Sequence, residues 1–184
     1  IRHWTGRRLR GLRVFIAGHT AAAKDARLDD PSAFPAWRYA SESGLPICVQ
    51  MRGTYAQLDA VLTRFPNAKV LLDHMGRPSI ADGEPYLDAA PLLELARHKN
   101  LFLKLTTHNV RESRQGKATP ETFFARVVKE FGASRIAWGS NYPASAGTLA
   151  ALLADAREAL ASLPKEYQEW IFSRTAQTLY PSLR

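Results

Sequence analysis

Short apolar runs punctuate this chain at Gly11–Ile16, Leu45–Met51, Lys69–His74, Leu101–Thr107 and Arg135–Ser140. Each is bounded by turn or charged residues and is rich in aliphatics, the composition of strands buried on both faces. Between the runs the apolar positions change period. Leu58, Val61, Leu62 and Phe65 in Tyr55–Phe65, and Leu87, Leu92, Leu93 and Leu95 in Tyr86–His98, recur at helical spacing. Further helices are predicted over Ala33–Glu42, Pro120–Phe131, Thr148–Leu163 and Lys165–Leu179, with Pro164 parting the last two. An Asp or Ser ahead of Ala33 serves as an N-cap, and Gly44 stops that helix. Strands recurring every ~25–35 residues, each followed by a helix, predict βα units around a parallel sheet.

Composition narrows the class. At 184 residues and 46% apolar content the chain has material for one domain with one sizeable core. No apolar run approaches the ~20 residues that span a bilayer, and no basic start leads into an apolar stretch, so no membrane partner is expected and a cytoplasmic location is the default. The single cysteine, Cys48, excludes a disulfide framework and a cysteine metal cluster. The net charge of +8 is concentrated in part at Arg2, Arg7, Arg8, Arg10 and Arg13. Without zinc-finger spacing, an RNA-binding sheet signature or a recognition helix, nucleic acid is not expected as a partner. A small anionic substrate accounts for the same excess.

Parallel α/β sheets keep their chemistry at the C-terminal ends of the strands. Those ends carry Arg13 and His19; Gln50 and Arg52; Asp73, His74 and Arg77; Lys104, His108 and Arg111; and Ser140, Asn141 and Tyr142. Together they describe a cationic, hydrogen-bonding cup. Its densest stretch is LLDHMGRP, Leu71–Pro78, where an apolar strand ends abruptly on Asp73-His74, a Met-Gly turn and Arg77-Pro78. Asp73 either caps this turn or supplies a base.

LDHMGRP, followed by LFLKLTT and then RIAWGSNYP, resembles the amidohydrolase-related enzymes of the metal-dependent hydrolase superfamily, the group of dicarboxylate lactone hydrolases and related decarboxylases. The ending, Ile171-Phe172 with Thr175–Pro181, is similar to that group's ending. The resemblance implies a (β/α)8 TIM barrel whose last strand ends in the motif Trp138–Pro143. Counted back from there, the strands are the fourth to eighth, and residues 1–184 form a single partial barrel domain lacking the N-terminal strands. In the family the first of those carries a His-x-His pair.

The implied activity is hydrolysis of a small carboxylated lactone or a similar ester- or amide-like bond. A lyase or decarboxylase on the same barrel, and a catalytically silent binding protein, are the alternatives. The resemblance makes His74 a donor or acid at the reacting carbonyl. Arg77 would hold a substrate carboxylate in its guanidinium fork, with Arg13 and Arg111 in the same role on neighbouring strand tips. Asn141 stands where the family usually has an aspartate, and a neutral amide cannot act as a base near pH 7. Gln50 likewise stands where metal-dependent members often have histidine. Since a catalytic zinc needs about three protein ligands, no metal and no other cofactor is expected of this chain; a divalent metal would require the His-x-His pair of a longer protein. The runs Gly11–Ile16 and Arg135–Ser140 would form open sheet edges, through which self-association is expected.

Overall fold

The computed structural model describes residues 1–16 and 26–183, and His19 lies outside them. In chain order the elements are α1 (Arg2–Gly6), β1 (Leu12–Phe15), α2 (Phe34–Ser43), β2 (Ile47–Gln50), α3 (Tyr55–Arg64), β3 (Val70–Leu72) and α4 (Ala90–Leu93). They continue with β4 (Leu101–Thr106), α5 (Thr107–Glu112), α6 (Pro120–Phe131), β5 (Ile136–Gly139), α7 (Leu149–Ala159), α8 (Lys165–Glu169) and α9 (Thr175–Leu179). The strands make one sheet in the order β1-β2-β3-β4-β5, and every neighbouring pair is parallel. This is the parallel βα sheet that the alternation of periods predicts, and it is consistent with part of the (β/α)8 barrel that the resemblance implies.

Strand alternation divides the core into two layers. Ile47 and Val49 of β2, Val70 and Leu72 of β3, Leu101, Leu103 and Leu105 of β4, and Ile136 of β5 pack with Leu58, Leu62, Leu92, Phe123, Phe124 and Val127 from the helices. Cys48 and Leu71 fall on the other face, where Phe102, Leu179 and Tyr180 join them in a small separate cluster. Register aligns these residues: Arg13 pairs with Cys48, Cys48 with Leu71, and Leu71 with Phe102.

Caps explain where the helices begin. The Thr119 hydroxyl accepts the Thr122 N–H at 3.3 Å and Pro120 opens α6; Thr148 accepts from Ala151 at 3.2 Å to open α7. Gly44, at φ 66°, closes α2 in the left-handed region as expected.

Two predicted helices differ in the structure. Tyr86–His98 holds one α turn, α4, between 3-10 turns at Leu87–Ala89 and Glu94–Arg97. Pro91 lacks an amide to donate back, and the bonding around it tightens to the i→i+3 pattern. Lys165–Leu179 is interrupted by a wide π turn, Trp170–Arg174. A wider turn reduces the rotation per residue, which brings Trp170, Ile171 and Phe172 together onto the core. No helix among the described residues is long and apolar enough to cross a membrane.

Candidate active site

Among the described residues, the tip of β3 holds the longest run of positive φ. His74, Met75, Gly76 and Arg77 all have positive φ, at 53°, 55°, 70° and 53°. Only glycine adopts that region freely, and a side chain there costs about 1–3 kcal/mol, so the surroundings must hold the turn in place. They do so through the backbone: the His74 carbonyl accepts from the Arg77 N–H at 2.9 Å and from Asn109 Nδ2 at 2.9 Å. The Tyr55 hydroxyl donates to the Gly76 carbonyl at 3.2 Å. A Cβ on Gly76 would lie 2.9 Å from the Tyr55 ring, so the glycine answers a close approach as well as a dihedral.

Asp73 begins the turn and is fully buried. Arg13 donates to its Oδ2, and the Lys104 ammonium stands 3.0 Å from its Oδ1. Burial pushes this carboxyl up, yet Lys104, His74 and Arg13 together outweigh burial and hold it below the usual carboxylate range. Asp73 is therefore an anion paired with two cations, which a turn cap does not need. Arg13 also donates to Gln50 Oε1 at 3.1 Å. The Lys104 stem lies against Gly139 of the neighbouring strand β5, where an added Cβ would come within 2.5 Å of its Cε.

His74 is 3% exposed. Its Nδ1 lies 2.8 Å from the Thr106 hydroxyl and its Nε2 lies 3.8 Å from Asp73 Oδ1. Thr106 in turn sends both its N–H, at 3.0 Å, and its hydroxyl, at 3.2 Å, to Asn109 Oδ1. The Asn109 amide is thereby oriented, oxygen toward Thr106 and nitrogen toward the His74 carbonyl. Burial, with His108, Arg77 and Lys104 acting in the same sense and Asp73 against it, takes the His74 imidazole down to about 4. His108 packs edge-on against His74, ring centres 5.1 Å apart, and its Nε2 lies 3.4 Å from Arg77 Nη2. Burial, Arg77 and Arg111 lower His108 as well, so it is the acceptor of the Arg77 contact.

The remaining expected residues shape the loop after β5. Asn141, at φ 57°, donates from Nδ2 to the Ser145 hydroxyl at 3.0 Å, and its carbonyl accepts the Ser145 N–H at 2.9 Å. Arg111 donates to the Ala146 carbonyl at 2.8 Å, and Thr107 donates to the Ser140 carbonyl at 2.8 Å. His74 and Arg77 thus share one turn, Arg13 is committed to Asp73, and Arg111 and Asn141 belong to the β5 loop. His74, Arg77, Arg111 and Asn141 lie beyond the C-terminal ends of β3, β4 and β5. Arg13, expected at a strand tip, is instead the second residue of β1 and reaches that end only with its side chain, because a guanidinium on a long stem can pair with Asp73 from below. A cavity of about 580 Å³ between Leu9, Tyr39, Pro46 and Tyr180 opens at the opposite end, away from these groups.

Thr106 and Asn109 carry more of the site than sequence reasoning assigned them. The alternation in LFLKLTT puts Lys104 and Thr106 on one face of β4, a signal that was available. Asn109 sits on α5, a helix that no periodicity announced. As a metal site the set does not fit: among the described residues no three His, Cys, Asp or Glu side chains come together, and the one carboxylate beside His74 is already neutralised by two cations.

Residues 1–182 match the family model described as Amidohydrolase. The L-fucono-1,5-lactonase of Burkholderia ambifaria is 30% identical over 141 residues, covering 75% of this chain and 47% of that protein. The chain therefore spans about half the length of that curated relative. An amidohydrolase of Burkholderia multivorans with bound zinc superposes with a TM-score of 0.75 at 18% identity, over 98% of this chain and 70% of its own. The putative 2-pyrone-4,6-dicarboxylic acid hydrolase of Pseudomonas putida gives 0.74 at 17%, over 98% and 66%. The 5-carboxyvanillate decarboxylase of Sphingomonas paucimobilis gives 0.64 at 18%, over 98% and 61%.

Proposed function

This chain belongs to the amidohydrolase family, and on that premise we propose that it carries the carbonyl-activating part of a hydrolase site that opens a small lactone with water. The observation that carries this reading is a neutral, buried His74 beside Asp73 on the same turn as Arg77. An imidazole with a pKa of about 4 holds almost no proton at neutral pH, so its role is that of acceptor rather than acid. If the Thr106 hydroxyl donates to Asn109, its lone pair receives His74 Nδ1–H, and Nε2 is left as a bare lone pair.

In the reaction, water oxygen bonds to the lactone carbonyl carbon while Nε2 takes one of its protons. The carbonyl π pair moves to oxygen, where the Arg77 guanidinium, steadied by His108, meets the developing anion. Asp73 stabilises the imidazolium. The tetrahedral centre then collapses, the ring C–O bond breaks, and the proton held on Nε2 passes to the departing alkoxide. One hydroxyl and one carboxylic acid result, and the acid releases its proton to solvent to leave as the carboxylate. Asn141 keeps its Oδ1 to orient the water, and Arg13 with Lys104 leaves one excess positive charge on the floor of the site. Arg111 holds the β5 loop over it.

The lactonase relative and the dicarboxylic acid hydrolase neighbour support ring opening over other chemistry. Assay against L-fucono-1,5-lactone and 2-pyrone-4,6-dicarboxylate tests it. We expect hydrolysis that falls about 10²-fold or more in His74→Gln and Arg77→Met, with a rate that holds down to about pH 5 and drops as His74 gains a proton. Intact lactones, release of carbon dioxide from a hydroxybenzoate instead, or a fully active His74→Gln would each overturn the reading.

A further inference from the structure

Beyond Arg77, at the same end of the sheet, lies a cavity of about 410 Å³ that this reaction does not use. Its walls come from the loop after β2, the turn after β3 and the end of α5, and they include Arg52, Arg77, Ser79, Asp88 and Glu112. Two guanidinium groups and two carboxyl groups thus border one space without satisfying each other. The ion pairs among the described residues leave all four out. Glu112 Oε2 is buried and has no hydrogen-bond partner. Burial raises this carboxyl, while Arg77 and Arg52 pull it back through space without contact. An unsatisfied buried polar atom costs about 1–3 kcal/mol, and a ligand that bonded it would recover that cost.

We propose that this cavity binds a hydroxycarboxylate, its carboxylate set between Arg52 and Arg77 and a hydroxyl donating to the Glu112 carboxyl, which turns its unpartnered Oε2 toward the cavity to accept it. Guanidinium forks hold carboxylates through paired N–H bonds, and a carboxylate oxygen without a donor accepts a hydroxyl. Asp88, held at the rim by Ser79 at 3.4 Å, disfavours a second carboxylate, so a monoacid fits best. Opening any lactone yields one carboxylate and one hydroxyl in one molecule. The ligand class is therefore the product class of the hydrolase reading, on which its origin, though not its binding, rests. Because Arg77 is shared, an occupied cavity competes with the reaction for it.

Titration calorimetry on the 184-residue protein tests this with D-gluconate, hexanoate, which lacks the hydroxyls, and sorbitol, which lacks the carboxylate. Gluconate should bind at least tenfold more tightly than either. Arg52→Ala, at an exposed side chain, should weaken gluconate and hexanoate alike by tenfold or more, with Arg52→Lys intermediate. Glu112→Gln should bring gluconate down to the level of hexanoate. No gluconate binding, sorbitol binding as tight as gluconate, or both Arg52→Ala and Glu112→Gln binding like the parent would overturn the proposal. Gluconate binding of the expected pattern in a protein that opens no lactone would sink the hydrolase reading and keep this one; lactone opening without that pattern would do the reverse.

Discussion

On the side of the sheet that meets the helices, Ile47, Val49, Val70, Leu72, Leu101, Leu103 and Ile136 are at most 2% exposed and belong to one apolar cluster. One residue along, on the other side, the same strands carry Cys48, Leu71 and Phe102 as a floor and then Gln50, Asp73, Lys104 and Thr106 above it. The first side stabilises by area, roughly 25 cal/mol per Å² removed from water, and no single contact is indispensable. Stabilisation on the second depends on completeness, because each buried charge is tolerated only while its partners remain. The difference teaches that two adjacent residues of one strand can fail in opposite ways.

Leu103 and Lys104 put this to the sharpest test. Leu103 is fully buried, so Leu103→Ala should cost about 3 kcal/mol in urea unfolding, within the range for such truncations, and leave activity per folded molecule unchanged. Lys104→Met should cost slightly less, about 2–3 kcal/mol, since Arg13 still pairs with Asp73, but it should also abolish turnover. Adding Asp73→Asn to Lys104→Met should restore at least half the lost stability, because the orphaned charge is gone. Full activity in Lys104→Met would break the comparison.

Acid should separate the two faces as well. His74, facing Asp73, His108, Arg77 and Lys104, falls from its ordinary 6.5 to about 4. Above about pH 6.5 it is neutral in both the folded and unfolded chains, and its contribution is fully present. As pH falls from 6.5 toward 4 the unfolded chain takes up the proton and the folded chain does not, so stability declines. Asp73, also held low, carries the decline to more acid pH. Between pH 7.5 and 4.5 the parent should lose about 2–3 kcal/mol more than His74→Gln, measured by urea midpoints, whereas Leu103→Ala should lose as much as the parent. Equal losses in the parent and His74→Gln would mean that His74 is not held neutral.

The helix side was the more legible of the two. Runs of aliphatics and their spacing place β1 to β5 and most helices, because burial against an apolar neighbour asks only for hydrophobicity at the right period. The polar side was legible in membership and not in partnership. His74, Arg77, Arg111 and Asn141 could be assigned to strand tips, whereas Arg13, read the same way, is the second residue of β1. That Arg13 would be spent on Asp73, and Arg111 and Asn141 on the loop after β5, depends on pairs 60, 35 and 4 residues apart, and only the fold sets the first two. Asp73 shows why: before Asp-His-Met-Gly a turn cap is the local solution, and only strands β1 and β4 bring the two cations that make it an ion-pair centre. The left-handed run His74–Arg77 was hidden for a similar reason, since three of its four residues are not glycine.

Gly139 yields the smallest expected effect and the finest distinction. It lies in β5 beside Thr106, and its missing side chain leaves room for the Lys104 stem, whose ammonium pairs with Asp73. The obstacle a methyl group would meet at 2.5 Å is the flexible end of Lys104 rather than backbone, and Gly139 is not among the residues of positive φ. Gly139→Ala should therefore fold, at a cost of about 1 kcal/mol, the lower end for overpacking, because the lysine bends away instead of the strand. A bent lysine no longer holds its ammonium 3.0 Å from Asp73, so the carboxyl should rise and turnover should fall, with the acid limb of the pH profile displaced. In a Lys104→Met background the same substitution should have little further effect on turnover or on the pH profile. Additive losses in that double variant would show that Gly139 acts through something other than Lys104.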